Sequence, residues 1–180
     1  MIKIDRSYCI YCRTNKDITS DHIPPKCLFR NKGGLQLITV PACRRCNESY
    51  KKDDEYFRIC VTGDISRNTQ GFRLWYEKVM GSTLKRSPKL RAKLISNTKP
   101  IYIKKEDGSI LKAAEMRMEK SRIDRVLERI VKGLYWHHRC KCLPRDTSFE
   151  IHPKPLIKKE GLDILLSRTR LFSIGDEEFK

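Results

Sequence analysis

Two Cys-x-x-Cys knuckles most constrain how this chain can fold. The first is Cys9-Ile-Tyr-Cys12, the second is Cys43-Arg-Arg-Cys46, and residues 13–42 separate them. One such pair also occurs in redox proteins, but two pairs together favour a tetrahedral Zn²⁺ site with four thiolate ligands. The alternative is a pair of turns with free thiols. We therefore expect a structural zinc ion at Cys9, Cys12, Cys43 and Cys46, which would fix both ends of the intervening segment.

The charge balance indicates the class of partner. The chain has 39 Lys and Arg residues against 22 Asp and Glu residues, a formal net charge of +17. The excess is greatest over residues 61–105, which hold 11 basic and 2 acidic residues. Such a balance is typical of nucleic-acid-binding proteins, and a solvated basic surface is the alternative.

Apolar runs in the sequence are short. None approaches the ~20 residues that span a bilayer, and the N-terminal residues lack the apolar core of a signal peptide. We therefore expect a cytoplasmic protein with reduced cysteines and no membrane partner. These features predict no particular oligomeric state.

An Asp-His pair lies between the knuckles, and an Asn follows the second knuckle. Asp21 and His22 precede Pro24-Pro25, and Asn47 directly follows the last knuckle cysteine. Hydrolysis of a phosphodiester needs a base for the attacking water, and a neutral imidazole suits that task. It also needs a cation, and Mg²⁺ prefers carboxylate and amide oxygens. The alternatives are a structural histidine at position 22 and a helix-capping role for Asn47.

Three stretches together resemble the HNH endonuclease family. They are Cys-Ile-Tyr-Cys, Ser-Asp-His-Ile-Pro-Pro-Lys and Val-Pro-Ala-Cys-Arg-Arg-Cys-Asn, and they cover about residues 8–58. The resemblance implies a ββα-metal fold and a bacterial or phage type of nuclease that acts on DNA, with RNA as a further possibility. It also implies that His22 is the general base and that Asp21 and Asn47 bind a catalytic Mg²⁺ or Mn²⁺. The products would carry 5′-phosphate and 3′-hydroxyl ends.

The sequence departs from the family pattern at two positions. Counting back from the second knuckle, Gln36 stands closest to the family's middle Asn, and Asn31 is an alternative; a Gln can form the same amide hydrogen bonds with a longer side chain. Tyr50 stands where the family often has a Lys. Six basic residues near the motif are candidate phosphate contacts, with ordinary surface charge as the alternative: Lys26, Arg30, Arg44, Arg45, Lys51 and Lys52.

The sequence predicts an α+β protein in two parts. Residues 1–60 would form a zinc-stapled ββα unit, with strands at 19–22 and 35–40, Pro41 ending the second, and a helix at 47–58. Residues 61–180 would form a basic, mainly helical extension that binds substrate. Its predicted elements are a helix at 65–80 ended by Gly81-Ser82, a hairpin turning at Asp107-Gly108, an amphipathic helix at 121–139, a strand at 148–152 and a helix at 160–167. A non-catalytic, zinc-dependent nucleic-acid-binding module is the rival to the endonuclease.

Overall fold

The computed structural model describes residues 6–30, 36–63 and 69–149. The chain folds into two compact units. The first is formed by Met1–Lys51 with Asp124–Lys180, and the second by Lys52–Ile123. This division differs from the expected boundary after residue 60. The reason is that Trp136, far along the chain, packs into the same core as Ile10, Ile23 and Val40. The middle of the chain is therefore a separate unit.

The described residues combine helices with two small antiparallel sheets, as expected for an α+β protein. No helix among them has both the length and the apolar character needed to cross a membrane. The expected helix at 160–167 and most of the strand at 148–152 lie outside the described residues. The elements in chain order are β1 (Ile18–Ile23), β2 (Ile38–Cys43), α1 (Arg44–Ser49), α2 (Lys51–Thr62), α3 (Thr69–Leu74), a π-helical segment (Trp75–Thr83), α4 (Leu84–Arg86), α5 (Pro88–Ser96), β3 (Thr98–Lys104), β4 (Ile110–Met116) and α6 (Lys120–Arg139).

Strands β1 and β2 form the sheet of the first unit. The first predicted strand is confirmed, but the second lies further along the chain than expected and continues through Pro41. Pro41 is tolerated because its carbonyl accepts from the Ile10 N–H, at 3.0 Å. In a strand, the nitrogen and the carbonyl of one residue point to the same side, so both of these groups of Pro41 face away from β1. The missing N–H of Pro41 therefore removes no hydrogen bond between β1 and β2.

The helix that follows β2 begins earlier than predicted and is interrupted. Helix α1 begins at Arg44 rather than at Asn47, and Tyr50 separates it from α2. Its N-cap is Cys43, whose sulfur accepts from the Cys46 N–H. The early start places both Cys46 and Asn47 within the helix.

Helix α6 packs on the core of the first unit. Its buried residues are Val126, Arg129, Gly133 and Trp136, and Ile130 and Leu134 also pack against this core, whereas Val131 is 46% exposed. Gly133 permits this approach, because a Cβ atom there would lie only 2.4 Å from Cγ1 of Ile23. A close contact with one β1 side chain thus sets the rotation of the helix.

The second unit has its own core, formed by Tyr56, Ile59, Val79 and Leu94. Gly81-Ser82 does not end the preceding helix as predicted, because the π-helical segment runs through both residues and continues into α4. Residues 65–68 of that predicted helix are not described. The hairpin is confirmed, with β3 and β4 joined by a turn in which Gly108 has a φ of 83°.

Candidate metal centre and Asp-His site

The four knuckle cysteines lie together in the first unit. Their sulfur atoms are all within 4.8 Å of one another, and the Sγ atoms of Cys12 and Cys43 are 3.6 Å apart. A tetrahedral zinc site with Zn–S bonds of about 2.3 Å has S–S edges of about 3.8 Å, whereas a disulfide needs about 2.05 Å. None of the four cysteines forms a disulfide. The cluster is therefore close enough to hold a metal ion.

Backbone turns shape both knuckles. In the first, the Arg13 N–H donates to the Cys9 carbonyl at 2.9 Å, and Arg13 has a positive φ of 68°. In the second, the Cys46 N–H donates to the Cys43 sulfur at 3.4 Å. Burial and the neighbouring cysteines raise the pKa of Cys46. The raised pKa disfavours the Cys46 thiolate, and a bound cation would offset this effect, because metal ligands at cysteine are thiolates.

Asp21 is buried on β1. It is 4% exposed, and its Oδ2 accepts a hydrogen bond from the Tyr11 hydroxyl at 2.8 Å. The same oxygen lies 3.6 Å from Nε of Arg129, which is 1% exposed. Tyr11 comes from the first knuckle and Arg129 from α6, so two distant segments of the chain hold one carboxylate.

The ring of Tyr50 lies next to Tyr11 and Arg129, the two partners of Asp21. The Arg129 guanidinium lies 4.7 Å from the ring centroid and that of Arg125 lies 4.9 Å away, while the Tyr11 and Tyr50 rings are 5.7 Å apart. Burial and the adjacent Asp21 raise the pKa of Tyr11 well above its usual value, so its hydroxyl remains a donor. Tyr50 is therefore an aromatic side chain that packs against the buried Arg129 guanidinium.

Sequence reasoning did not identify Tyr11 or Arg129 as residues of this site. A signal for Arg129 is present in the sequence, because Val126, Arg129, Gly133 and Trp136 are spaced by three, four and three residues. This spacing is typical of one buried helix stripe. An arginine within such a stripe indicates a buried ionic partner.

His22 follows Asp21 on β1 and pairs in register with Thr39. Successive strand residues face opposite sides of a sheet, and the burial pattern follows this rule. Asp21 and Ile23 are buried, whereas His22 is partly exposed. The imidazole therefore belongs to the more accessible side of the strand.

Asn47 ties α1 to β1. Its Nδ2 donates to Oγ1 of Thr19 at 3.1 Å and to the Ser20 carbonyl at 3.3 Å. The alternative role of Asn47 as helix cap is wrong, because Cys43 occupies that position. Both hydrogen bonds use the amide nitrogen, so coordination of a cation would use the amide oxygen. The structure thus places Asn47 against the residues that immediately precede Asp21.

The remaining candidates are mostly exposed. Gln36 is exposed and precedes β2 by two residues, so its proposed role stays a prediction, while Asn31 lies outside the described residues. Lys51 forms an exposed ion pair with Glu48 at 3.2 Å. Arg30 is partly buried, and the other candidate phosphate contacts are exposed: Lys26, Arg44, Arg45, Lys51 and Lys52.

Comparisons with known proteins do not identify this chain. No family model, curated protein or solved structure matches it. A functional assignment must therefore come from the residues and their geometry.

Proposed function

We propose that this protein is an HNH endonuclease that hydrolyses phosphodiester bonds of DNA with a divalent metal. One observation carries the proposal, namely that β1, β2 and α1 follow one another in ββα order. Asp21 and His22 lie on β1, and Asn47 of α1 is hydrogen-bonded to that strand. This is the order that the family resemblance implies. The four-cysteine cluster lies at the other end of the same strands, since Cys43 pairs with Ile18.

Zinc is the ion we propose for the cysteine cluster. Four thiolates form a soft, tetrahedral donor set that selects zinc over harder cations. The 3.6 Å separation of the Cys12 and Cys43 sulfurs suits such a site. The role would be structural, because four protein ligands leave no position for a substrate.

His22 would accept the proton of the attacking water. Its place on the accessible side of β1 supports this role. The strand pairing with Thr39 fixes the backbone that carries the imidazole. A neutral imidazole is suited to general-base work near neutral pH.

Asp21 and Asn47 would bind the catalytic Mg²⁺ or Mn²⁺. One carboxylate oxygen and one amide oxygen fit the hard ligands that these ions prefer. Oδ2 of Asp21 is engaged by Tyr11 and Arg129, so Oδ1 is the donor we expect. When bound, the ion stabilises negative charge on the phosphate and the leaving oxygen.

The rival function is a zinc-dependent nucleic-acid-binding module without catalysis. The observation that favours it is the 4% exposure of Asp21 together with its pairing to Arg129. That pairing gives Asp21 a structural role that requires no catalytic metal. The two functions differ in whether Mg²⁺ or Mn²⁺ produces cleavage.

Nicking of supercoiled plasmid tests the proposal. The full chain would be compared with His22→Ala and with His138→Ala, a matched loss of an exposed helix histidine. Each protein would be incubated with Mg²⁺ or Mn²⁺, with its zinc content and circular dichroism measured in parallel. RNA would be tested under the same conditions.

We expect the wild type and His138→Ala to nick the plasmid and His22→Ala to be inactive while still folded and zinc-loaded. Cleavage by His22→Ala at the wild-type rate would overturn its role as general base. Binding without cleavage by all three proteins, with either substrate and either metal, would establish the binding module instead.

A further inference from the structure

The β3–β4 hairpin of the second unit exposes large apolar side chains next to lysines. Tyr102 is 69% exposed and Ile110 is 71% exposed. Tyr102 pairs directly with Lys112, and Lys104 pairs with Ile110. Cross-strand partners share a face of the sheet, so these four side chains form one surface. We name it the Tyr102 face and define it by six exposed residues: Pro100, Tyr102, Lys104, Ile110, Lys112 and Ala114.

The opposite face of the hairpin has a different charge pattern. Lys99 pairs there with Glu115, so its positive charge lies opposite a carboxylate. Of the apolar pairs on this face, Ile101 and Ala113 are partly buried, and Ile103 and Leu111 are 45% and 46% exposed, less than Tyr102 and Ile110. The Tyr102 face has two lysines and no acidic residue. Positive charge without a local counter-charge is therefore confined to one side of the ribbon.

The charge of the unit that carries the hairpin has the same sign. Residues 52–123 contain 17 Lys and Arg residues against 9 Asp and Glu residues, a difference of +8. A polyanion is the partner that this balance attracts. The major groove of B-DNA admits a two-stranded β-ribbon, and base edges there offer acceptors to lysine and thymine methyl groups to apolar side chains.

We infer that the β3–β4 hairpin is a DNA-binding ribbon that places its Tyr102 face in the major groove of duplex DNA. The inference builds on the proposed endonuclease by naming the element that contacts its substrate. Lys104 and Lys112 supply the positive charge, and Tyr102 and Ile110 supply apolar contact with base edges. The exposure of these apolar residues is thereby explained by the partner that covers them.

Two pairs of matched substitutions test this inference. Lys112→Gln removes a charge from the Tyr102 face, and Lys99→Gln removes the same charge from the opposite face of the same ribbon. Tyr102→Ala and Ile103→Ala truncate exposed neighbours that point to opposite faces. Fluorescence anisotropy with the full chain and a labelled duplex, over a series of NaCl concentrations and without added Mg²⁺ or Mn²⁺, gives the Kd and its salt dependence. Circular dichroism confirms that each variant is folded.

We expect Lys112→Gln to reduce the slope of log K against log salt by about 0.9, the value for one lost phosphate contact. Tyr102→Ala should weaken binding by about tenfold, the scale of one lost base contact. Lys99→Gln and Ile103→Ala should change the Kd by less than about twofold, since isolated surface changes have small effects.

Equal effects of the two lysine variants would overturn the inference, as would wild-type affinity in Tyr102→Ala or no duplex binding by the wild type. A fall in molecular mass by light scattering for Tyr102→Ala, with DNA affinity unchanged, would instead assign the face to a second copy of the chain.

The endonuclease proposal is judged separately by plasmid nicking. If the wild type nicks plasmid and the Tyr102-face variants bind duplex normally, the DNA-binding ribbon is rejected and the endonuclease stands. If only the Tyr102-face variants lose duplex affinity and the wild type does not nick plasmid, the endonuclease is rejected and the ribbon stands.

Discussion

The buried contact between Arg129 and Asp21 gives the sharpest prediction about stability. Replacing Arg129 with Met keeps much of the side-chain volume and removes the charge. Asp21, which is 4% exposed, would then keep the hydrogen bond from Tyr11 and lose the cation 3.6 Å from its Oδ2. The opposite change, Asp21→Asn, would leave Arg129 charged and 1% exposed.

The expected magnitude follows from the separation and the burial. At 3.6 Å, Coulomb's law with an effective dielectric of about 20 gives an attraction of about 5 kcal/mol. Desolvation offsets much of this in the intact pair, but removal of one partner leaves an uncompensated buried charge that costs about 3–5 kcal/mol. Each single variant should therefore lose a large share of the ~5–15 kcal/mol that stabilises a typical domain. In the double variant Asp21→Asn/Arg129→Met neither charge remains, so its loss should fall about 1–3 kcal/mol short of the sum of the two single losses.

Urea denaturation followed by circular dichroism, with zinc present, measures these free energies of unfolding. Arg125→Met is the matched control, because Arg125 lies on the same helix and against the same Tyr50 ring but is exposed. It should cost less than about 1 kcal/mol. The reasoning fails if Arg129→Met costs no more than Arg125→Met, or if the Asp21 and Arg129 losses simply add.

Two further predictions concern packing and pH. Gly133→Ala should destabilise the protein by about 1–3 kcal/mol, because the new Cβ would lie 2.4 Å from Cγ1 of Ile23. Thermal unfolding beside the wild type checks this, and an unchanged melting temperature would contradict it. Burial raises the pKa of Tyr56 in the folded protein above the ~10 that is usual for tyrosine in an unfolded chain. The neutral phenol therefore stabilises the fold below pH ~10, and this contribution is lost as the pH rises through the higher pKa of the folded state. Tyr56→Phe should cost about 1 kcal/mol near neutral pH, because the Tyr56 hydroxyl accepts from the Glu119 N–H at 2.8 Å, and should make stability decline less steeply above pH ~10. Urea midpoints at several pH values measure both effects, and parallel pH profiles for the two proteins would contradict the second.

Local sequence determined the parts of this protein that depend on short-range chemistry. The knuckle spacings predicted a cluster of four cysteines close enough for a metal, because each Cys-x-x-Cys pair brings its own sulfurs together within one turn. Asp107-Gly108 predicted the hairpin turn, since Gly108 adopts a positive φ that glycine tolerates best. The apolar period over 121–139 predicted α6, which extends over Lys120–Arg139.

Tertiary structure decided which residues surround the Asp-His pair. The helical period located α6 but did not select Gly133 as the residue that contacts Ile23, because that fit depends on a side chain of β1. The partners of Asp21 come from the first knuckle and from α6, more than a hundred residues away along the chain for Arg129. The spacing along α6 indicates that Arg129 is buried, but no local pattern names Asp21 as its partner, because only packing between distant segments brings the two residues together. The sequence therefore determined the chemical groups of the candidate site, and only the fold decided that a buried arginine would hold its carboxylate.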